Sequence, residues 1–187
     1  MRIISGKYRG LKLTAPAGND IRPTTDRIKE DIFNILGAET PDSDFLDLFA
    51  GTGAIGIEAL SRGAESVTLI DMSGDAVALI HQNTAKLKGE QPARIIRTDA
   101  RKFLIETKNK YDIIFLDPPY QFSGVPELIE IIVARNLLKA DGVLVVEQGI
   151  KTTMPDFSRH LLLYKIKKYA STVLYFFSAV QEGDIKA

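Results

Sequence analysis

Short apolar runs and longer amphipathic stretches alternate along most of the chain. Phe45 opens a strand, Ala54–Ser61 reads as a helix, Ser66–Asp71 as a second strand, Gly74–Lys88 as a helix and Arg94–Arg97 as a third strand. A short helical stretch through Glu106 follows, then the almost continuously apolar strand Tyr111–Leu116, a helix over Glu127–Leu138 and a strand over Gly142–Glu147. Strands buried on both faces carry such unbroken apolar runs, and their alternation with helices predicts a doubly wound α/β sheet. Two last runs, HLLLYKIKKYA and STVLYFFSAV, flank a short turn and predict an antiparallel pair that closes one sheet edge.

Ahead of this alternation the pattern differs. Met1–Ala17 has two partly apolar runs around glycine-punctuated basic residues, which predicts a β-hairpin. An extended R-P-T segment then leads into a helix ending at Gly37, with Ile28, Ile32, Ile35 and Leu36 forming its core stripe. We therefore expect an N-terminal basic hairpin extension over residues 1–20 and a catalytic domain over 21–187.

Charge sharpens the reading of that extension. The formal net charge is zero, so the global field predicts no polyanionic partner, but the first thirty residues differ. There, seven basic side chains (Arg2, Lys7, Arg9, Lys12, Arg22, Arg27, Lys29) face three acids (Asp20, Asp26, Glu30), a local +4. Tyr8 lies among them, and basic residues with an interleaved aromatic suit phosphate contacts plus base stacking. Lys7, Tyr8 and Arg9 in the hairpin, with Arg22, Thr24 and Arg27 at the helix start, are the candidate nucleic-acid contacts. The competing reading is an edge hairpin that carries Lys and Arg only to remain soluble.

Composition excludes several chemistries. With no cysteine there is no disulfide, no thiolate zinc site and no cysteine nucleophile for covalent attack on a pyrimidine ring. His81 and His160 sit in no metal-ligand spacing, and we expect no metal. The opening MRIISGKYRG has no signal-peptide core and no apolar run reaches the roughly 18 residues of a membrane span, so a cytoplasmic protein without membrane contact is expected.

Two motifs point to a reaction. Gly51-Thr52-Gly53-Ala54-Ile55-Gly56 has the G-x-G-x-x-G spacing between a strand and a helix, and Asp71 ends the next strand, where an acid binds ribose hydroxyls. Nicotinamide, flavin and adenosine-containing methyl donors all fit such a turn. Asp47, four residues before the first glycine, would repel a pyrophosphate and attract an ammonium group, which favours S-adenosylmethionine; the bland alternative is that it only caps the turn.

The second motif is Asp117-Pro118-Pro119-Tyr120, after the apolar strand. Strand carboxyl ends form the ligand crevice of an open α/β sheet, and Asp47, Asp71, Asp99 and Asp117 all fall on that rim. Consecutive prolines fix φ and remove two N–H donors, leaving a rigid turn whose carbonyls accept without competition. Asp117 Oδ and the Pro118 carbonyl suit the two hydrogens of an exocyclic base amine. A free aspartate, of pKa about 4, is too weak a base to deprotonate such an amine beforehand, so Asp117 orients it and the proton leaves after attack. Tyr120 is placed to stack on the base.

Taken together, IISGKYRGLKLTAPAG, RPTTDRIKEDIFNIL, DLFAGTGAIGIEALSRGA and DPPY resemble the class I S-adenosylmethionine-dependent methyltransferases of the amino-methylating type. More narrowly, they resemble the bacterial small-subunit (16S) ribosomal RNA guanine-N2 methyltransferase family called RsmD. The resemblance implies a Rossmann-like sheet of seven strands, mostly parallel with the last antiparallel. It implies Asp47 and the Gly51 to Gly53 turn around the methionyl part of S-adenosylmethionine, Asp71 on the ribose, Met72 against adenine, Asp99 and Ala100 at the adenine edge, and Asp117 to Tyr120 on the target base. The partner it implies is ribosomal RNA or the small ribosomal subunit. Leu11 stands where the family usually has a further basic residue.

Three rival functions meet the same motifs differently. An N6-adenine DNA methyltransferase also uses D-P-P-Y, but the short stretch after Tyr120 leaves little room for a sequence-reading domain. A nicotinamide-dependent oxidoreductase gives no role to Asp47 or the D-P-P-Y turn. A catalytically silent RNA-binding module would keep the basic hairpin and need none of the rim acids.

Overall fold

In the computed structural model, which describes residues 1–15, 26–89 and 93–179, the chain forms a seven-stranded sheet with flanking helices. The backbone falls into two units, Met1–Ala100 and Arg101–Ala187. In the first, the helix α1 (Asp26–Leu36) precedes β1 (Asp44–Leu48), α2 (Ala54–Ser61), β2 (Ser66–Asp71), α3 (Gly74–Thr84) and β3 (Ala93–Arg97). Its strands lie parallel in the order β3-β2-β1, with Asp47 opposite Leu69 and Asp71 opposite Arg97. Phe45, Leu46, Leu48, Val67, Leu69 and Ile70 are buried, as the unbroken apolar runs require.

The second unit follows α4 (Ala100–Glu106) with β4 (Tyr111–Leu116), α5 (Val125–Ala134), β5 (Leu138–Gly149), β6 (Leu161–Lys168) and β7 (Thr172–Ala179). β4 and β5 are parallel, and β7 runs antiparallel to both β5 and β6, giving the order β4-β5-β7-β6. The expected antiparallel pair at the end of the chain is therefore present, with β7 inserted between β5 and the edge strand β6.

Several boundaries differ from the sequence expectation for local reasons. α3 ends at Thr84, whose hydroxyl donates back to the carbonyls of Ile80 and His81, so the helix does not reach Lys88. α5 starts two residues early because Pro126 suits the first turn, and it stops before Asn136, which adopts the left-handed conformation at φ 52°. β5 then begins at Leu138, because the Asp141-Gly142 pair is an irregularity within the strand and not a turn before it. Asp141 has φ 65°, and the register with β4 shifts between Tyr111 and Ile113. In α1 the buried set is Ile28, Lys29, Ile32, Phe33 and Leu36; Ile35 is only half-buried.

The N-terminal segment forms one isolated antiparallel bridge, Arg2 with Lys12, supported by Ile3 N–H to the Leu11 carbonyl and Gly10 N–H to the Ile3 carbonyl. It is held on the first unit. Glu58 of α2 accepts the Ile4 and Ser5 amides at 2.8 and 3.0 Å, while the Lys7 amide donates to the Ser61 carbonyl at 2.7 Å. The expected boundary at residue 20 lies outside the described residues.

Candidate active site

The link between β1 and α2 is a tight left-handed turn. Phe49, Gly51 and Gly53 have φ of 64°, 56° and 76°. The Ala50 amide donates to the Ile70 carbonyl at 2.9 Å and the Gly53 amide to the Ala50 carbonyl at 2.7 Å, so the turn is tied to β2 and closed on itself. The glycines do different jobs. At Gly51 a Cβ would meet nothing nearer than the Phe49 carbonyl at 4.0 Å, leaving the backbone open to a ligand. At Gly56 it would lie 2.8 Å from Val67 Cγ1 and 2.9 Å from Leu69 Cδ2, so that glycine sets how closely α2 packs on β2.

Asp47 is 1% exposed, and its Oδ2 accepts the Gly56 amide at 3.0 Å. The carboxylate therefore caps the start of α2. Burial pushes its carboxyl up to about 7, against the Gly56 hydrogen bond and with the nearby Asp71 charge in the same direction.

Asp71 organises the other side of the turn. Its Oδ2 accepts the Gly51 amide at 2.9 Å and its Oδ1 the Ser73 amide at 2.8 Å, while its carbonyl accepts Thr98 N–H at 3.1 Å. Met72 follows with 67% of its surface exposed, an apolar side chain held at the rim without burial. Arg97 Nε donates to the Met72 carbonyl at 3.3 Å, so the end of β3 fixes the Met72 backbone. Asp99 is exposed beyond that strand, and Ala100 is buried at the start of α4. Asp47, Gly51, Gly53, Asp71, Met72, Asp99 and Ala100 thus fall at the carboxyl ends of β1, β2 and β3 or just beyond them.

The donor set of this turn fits an adenosine-containing methyl donor. It offers open glycine backbone, acceptor carboxylates suited to hydroxyls and an ammonium, and an exposed thioether side chain suited to a flat base. A pyrophosphate fits poorly, because it would seek the amides at the start of α2, where Asp47 already stands.

Asp117–Tyr120 follow β4 in the second unit. Asp117 and Pro118 are half-buried, while Pro119 and Tyr120 are exposed, and the Pro119 carbonyl accepts the Phe122 amide at 2.8 Å. Tyr120 is not a core residue: it is 59% exposed, and its hydroxyl lies 3.3 Å from Thr172 Oγ1. A Cβ on Gly149 would approach the Tyr120 ring at 3.2 Å, so β5 is bare beside this ring.

Among the candidate nucleic-acid contacts, Lys7, Arg9 and Arg27 are exposed. Tyr8 is half-buried: its hydroxyl donates to the Lys88 carbonyl at 3.0 Å, its amide donates to Ser61 Oγ at 2.9 Å, and the Lys7 ammonium lies 5.3 Å from its ring centroid. Arg22 and Thr24 lie outside the described residues. Lys29 does not belong to the basic surface. It is wholly buried, paired with Glu58 at 3.2 Å and donating to the Arg2 carbonyl, and burial lowers its pKa although Glu58 acts to raise it.

Sequence reasoning missed Phe49, Glu58 and Asn83. The left-handed Phe49 and the buried Asn83 carry no local signal, since one sits in an apolar run and the other in the polar stretch His81-Gln82-Asn83-Thr84. Glu58 offered one, being the sole charge within the apolar helix AIGIEALS, where a charge needs partners to be buried.

The family profile described as Conserved hypothetical protein 95 matches residues 1–178. Ribosomal RNA small subunit methyltransferase D of Escherichia coli K12 is 36% identical over 175 residues, covering 94% of this chain and 87% of its own. The protein of the same name from Haemophilus influenzae is 37% identical over 150 residues, covering 79% of this chain and 78% of its own. Among solved structures, yhhF from Escherichia coli superposes with a TM-score of 0.87 at 32% identity, covering 96% of this chain and 97% of that one. Matches of this length, spanning the N-terminal segment, the glycine turn and D-P-P-Y alike, place the chain in the RsmD methyltransferase family that its motifs resemble.

Proposed function

We propose that the protein transfers a methyl group from S-adenosylmethionine to the exocyclic N2 amine of a guanine in small-subunit ribosomal RNA. The observation that carries the choice of donor is Asp47 Oδ2 on the Gly56 amide at 3.0 Å. A buried carboxylate at the start of α2 occupies the place a dinucleotide's pyrophosphate would take, which disfavours a nicotinamide cofactor. Asp47 and the Gly51 to Gly53 turn hold the methionyl part, Asp71 accepts from the ribose hydroxyls with lone pairs its two amide partners leave unused, Met72 covers adenine, and Asp99 and Ala100 meet its edge.

When bound, S-adenosylmethionine supplies an electrophilic methyl group. The chain's own contribution is to hold the acceptor. The amine lone pair is delocalised into the ring, so catalysis rests on positioning it, a contribution that reaches roughly 7–11 kcal/mol in favourable cases. Asp117 Oδ and the Pro118 carbonyl accept the two amine hydrogens, Pro119 keeps the turn rigid, and Tyr120, exposed and tethered at its hydroxyl, stacks on the base. Lys7, Arg9, Arg22, Thr24 and Arg27 contact RNA phosphates, Tyr8 among them offers a ring for base stacking, and the reaction needs no metal.

Residue chemistry alone accommodates guanine N2, adenine N6 or cytosine N4 between these two acceptors; kinship with proteins named for small-subunit ribosomal RNA supports RNA, and the motif resemblance to RsmD supports guanine. The test is mass spectrometry of nucleosides after incubating small-subunit RNA, or DNA, with the protein and labelled donor. N2-methylguanosine from RNA is the expected product. Label on adenine N6 in DNA would replace this reading with the DNA methyltransferase.

A further inference from the structure

Asn83, on α3, is 0% exposed and polar, and its side chain bonds two segments outside its own helix. Its Nδ2 donates to the Thr52 carbonyl at 3.0 Å and to the Thr14 carbonyl at 3.1 Å. Its Oδ1 accepts the Thr14 amide at 2.7 Å and Lys86 Nζ at 3.2 Å. One side chain thus binds the returning arm of the N-terminal segment through both backbone groups of Thr14 and, at the same time, the middle residue of the glycine turn.

The Thr52 carbonyl is a sensitive point. It belongs to the peptide between Thr52 and Gly53, whose amide closes the turn on the Ala50 carbonyl, and the flanking Gly51 and Gly53 are both left-handed. Without Asn83 this peptide plane would be held at its N–H alone, and the flanking glycines, which tolerate either sign of φ, would let it tilt. A second link runs parallel to the first: Thr52 Oγ1 donates to Met1 Sδ at 3.5 Å. Lys86 braces the arrangement from outside, donating to Thr14 Oγ1 at 2.6 Å and the Lys12 carbonyl at 3.2 Å.

Resting on the reading of the N-terminal segment as an RNA contact, we propose that Asn83 is a positioning residue that couples this segment to the methyl-donor turn, so that RNA and S-adenosylmethionine bind cooperatively. RNA seated on the segment holds Thr14 in place, Thr14 fixes the Asn83 amide, and that amide fixes the Thr52–Gly53 peptide against which the donor binds. By linkage the donor tightens RNA by the same factor. Asparagine is required because it donates and accepts at once: aspartate of equal size would keep the Thr14 amide bond and lose both donations.

The test uses the full chain. Donor affinity is measured by calorimetry with and without saturating small-subunit ribosomal RNA, alongside amide hydrogen exchange at Gly51, Thr52 and Gly53. In the wild type RNA should tighten the donor within the usual range of allosteric couplings, about 5- to 150-fold, and slow exchange in the turn. Asn83→Asp should weaken the donor several-fold and bring the ratio with and without RNA near one. Lys86→Met, at a half-exposed site that does not touch Thr52, should leave donor affinity alone unchanged and reduce the ratio, so the question stays answerable if Asn83→Asp does not fold. A purely structural Asn83 would lower thermal stability with the ratio intact, and that result overturns the coupling. RNA that binds and is methylated with donor affinity unchanged also overturns the coupling alone, whereas RNA that neither binds nor is methylated overturns the coupling and the functional reading together.

Discussion

The Gly51 amide donates to Asp71 Oδ2 at 2.9 Å, so the acid that ends β2 holds the glycine turn that follows β1. Two motifs twenty residues apart in sequence form one unit, and the expected ribose acceptor also shapes the backbone of the glycine turn. Asp71→Ala should therefore weaken S-adenosylmethionine by more than the loss of hydroxyl contacts alone. We expect about 1.5–3 kcal/mol, the range for hydrogen bonds to charged groups, with the upper end favoured because the Gly51 amide also loses its partner. Calorimetry on Asp71→Ala and Asp71→Asn checks this, and equal wild-type affinity in both would remove Asp71 from the site.

Asp47, proposed to face the ammonium of the methyl donor, should make donor binding depend on pH. Its folded carboxyl is raised from 3.8 to about 7, so between these values the folded chain keeps a proton that the unfolded chain has lost. The group's contribution to stability is accordingly full below 3.8 and is lost as pH rises through about 7. Binding runs the other way: an ammonium ligand needs the carboxylate, so affinity should rise from pH 6 to pH 8 with proton release. One unit below the folded value the affinity should fall about tenfold. Asp47→Asn should be weak and flat across the same range, and titrations in two buffers of different ionisation enthalpy would detect the released proton.

Most of the fold was legible because buried parallel strands announce themselves: Tyr111–Leu116 is apolar but for Asp112 and is buried over most of its length. The glycine spacing and D-P-P-Y were visible as motifs because each is a contiguous run, whereas the bond from the Gly51 amide to Asp71, twenty residues on, was not. Asn83 was not, because its partners Thr14 and Thr52 are distant in sequence and nothing in a polar helix end marks the residue that turns inward. Lys29 misled in the opposite sense. It counted as surface charge until its pairing with Glu58 placed it inside.

That pairing yields a prediction about stability. Four donors converge on the Glu58 carboxylate: the Ile4 and Ser5 amides, Lys29 Nζ and Arg62 Nε. Glu58→Ala should destabilise by about 3–5 kcal/mol, as expected when one partner of a buried pair is removed and the other stays charged inside. Denaturant unfolding measures it. Replacing Lys29 by Met in the same background should recover part of the loss, and failure to recover any would show that the two amides, and not Lys29, carry the cost.

RNA binding should depend on how the N-terminal segment is seated. Gly6 has φ 82°, and a Cβ there would overlap the Ser61 carbonyl, the acceptor of the Lys7 amide. Gly6→Ala should detach the segment, lowering RNA affinity and flattening its dependence on salt. Arg9→Ala leaves the backbone alone and should reduce the slope of log K against log salt by about 0.7, the value for one phosphate on a single strand. A slope unchanged in both variants would move the RNA surface elsewhere, with Lys165, Lys167 and Lys168 on β6 the next positions to substitute.

The acceptor end of the reaction separates two residues of one motif. Asp117 is half-buried at the end of β4 and is proposed to hold the amine, whereas Tyr120 is exposed and proposed to stack on the base. Asp117→Ala should leave donor affinity within about twofold and lower turnover by about 10²–10³, by analogy with the loss of a single preorganised hydrogen-bonding group elsewhere in catalysis. Asp117→Asn should recover part of the activity, since its carbonyl still accepts one amine hydrogen. Tyr120→Ala should be milder, costing about 1–3 kcal/mol of stacking and appearing mainly in KM, while Tyr120→Phe keeps the ring and loses only the contact with Thr172 Oγ1. Single-turnover methylation with RNA in excess distinguishes these outcomes. Wild-type turnover in Asp117→Ala would remove it from the catalytic role, and equal losses in Tyr120→Ala and Tyr120→Phe would show that the tyrosine acts through its hydroxyl and not by stacking.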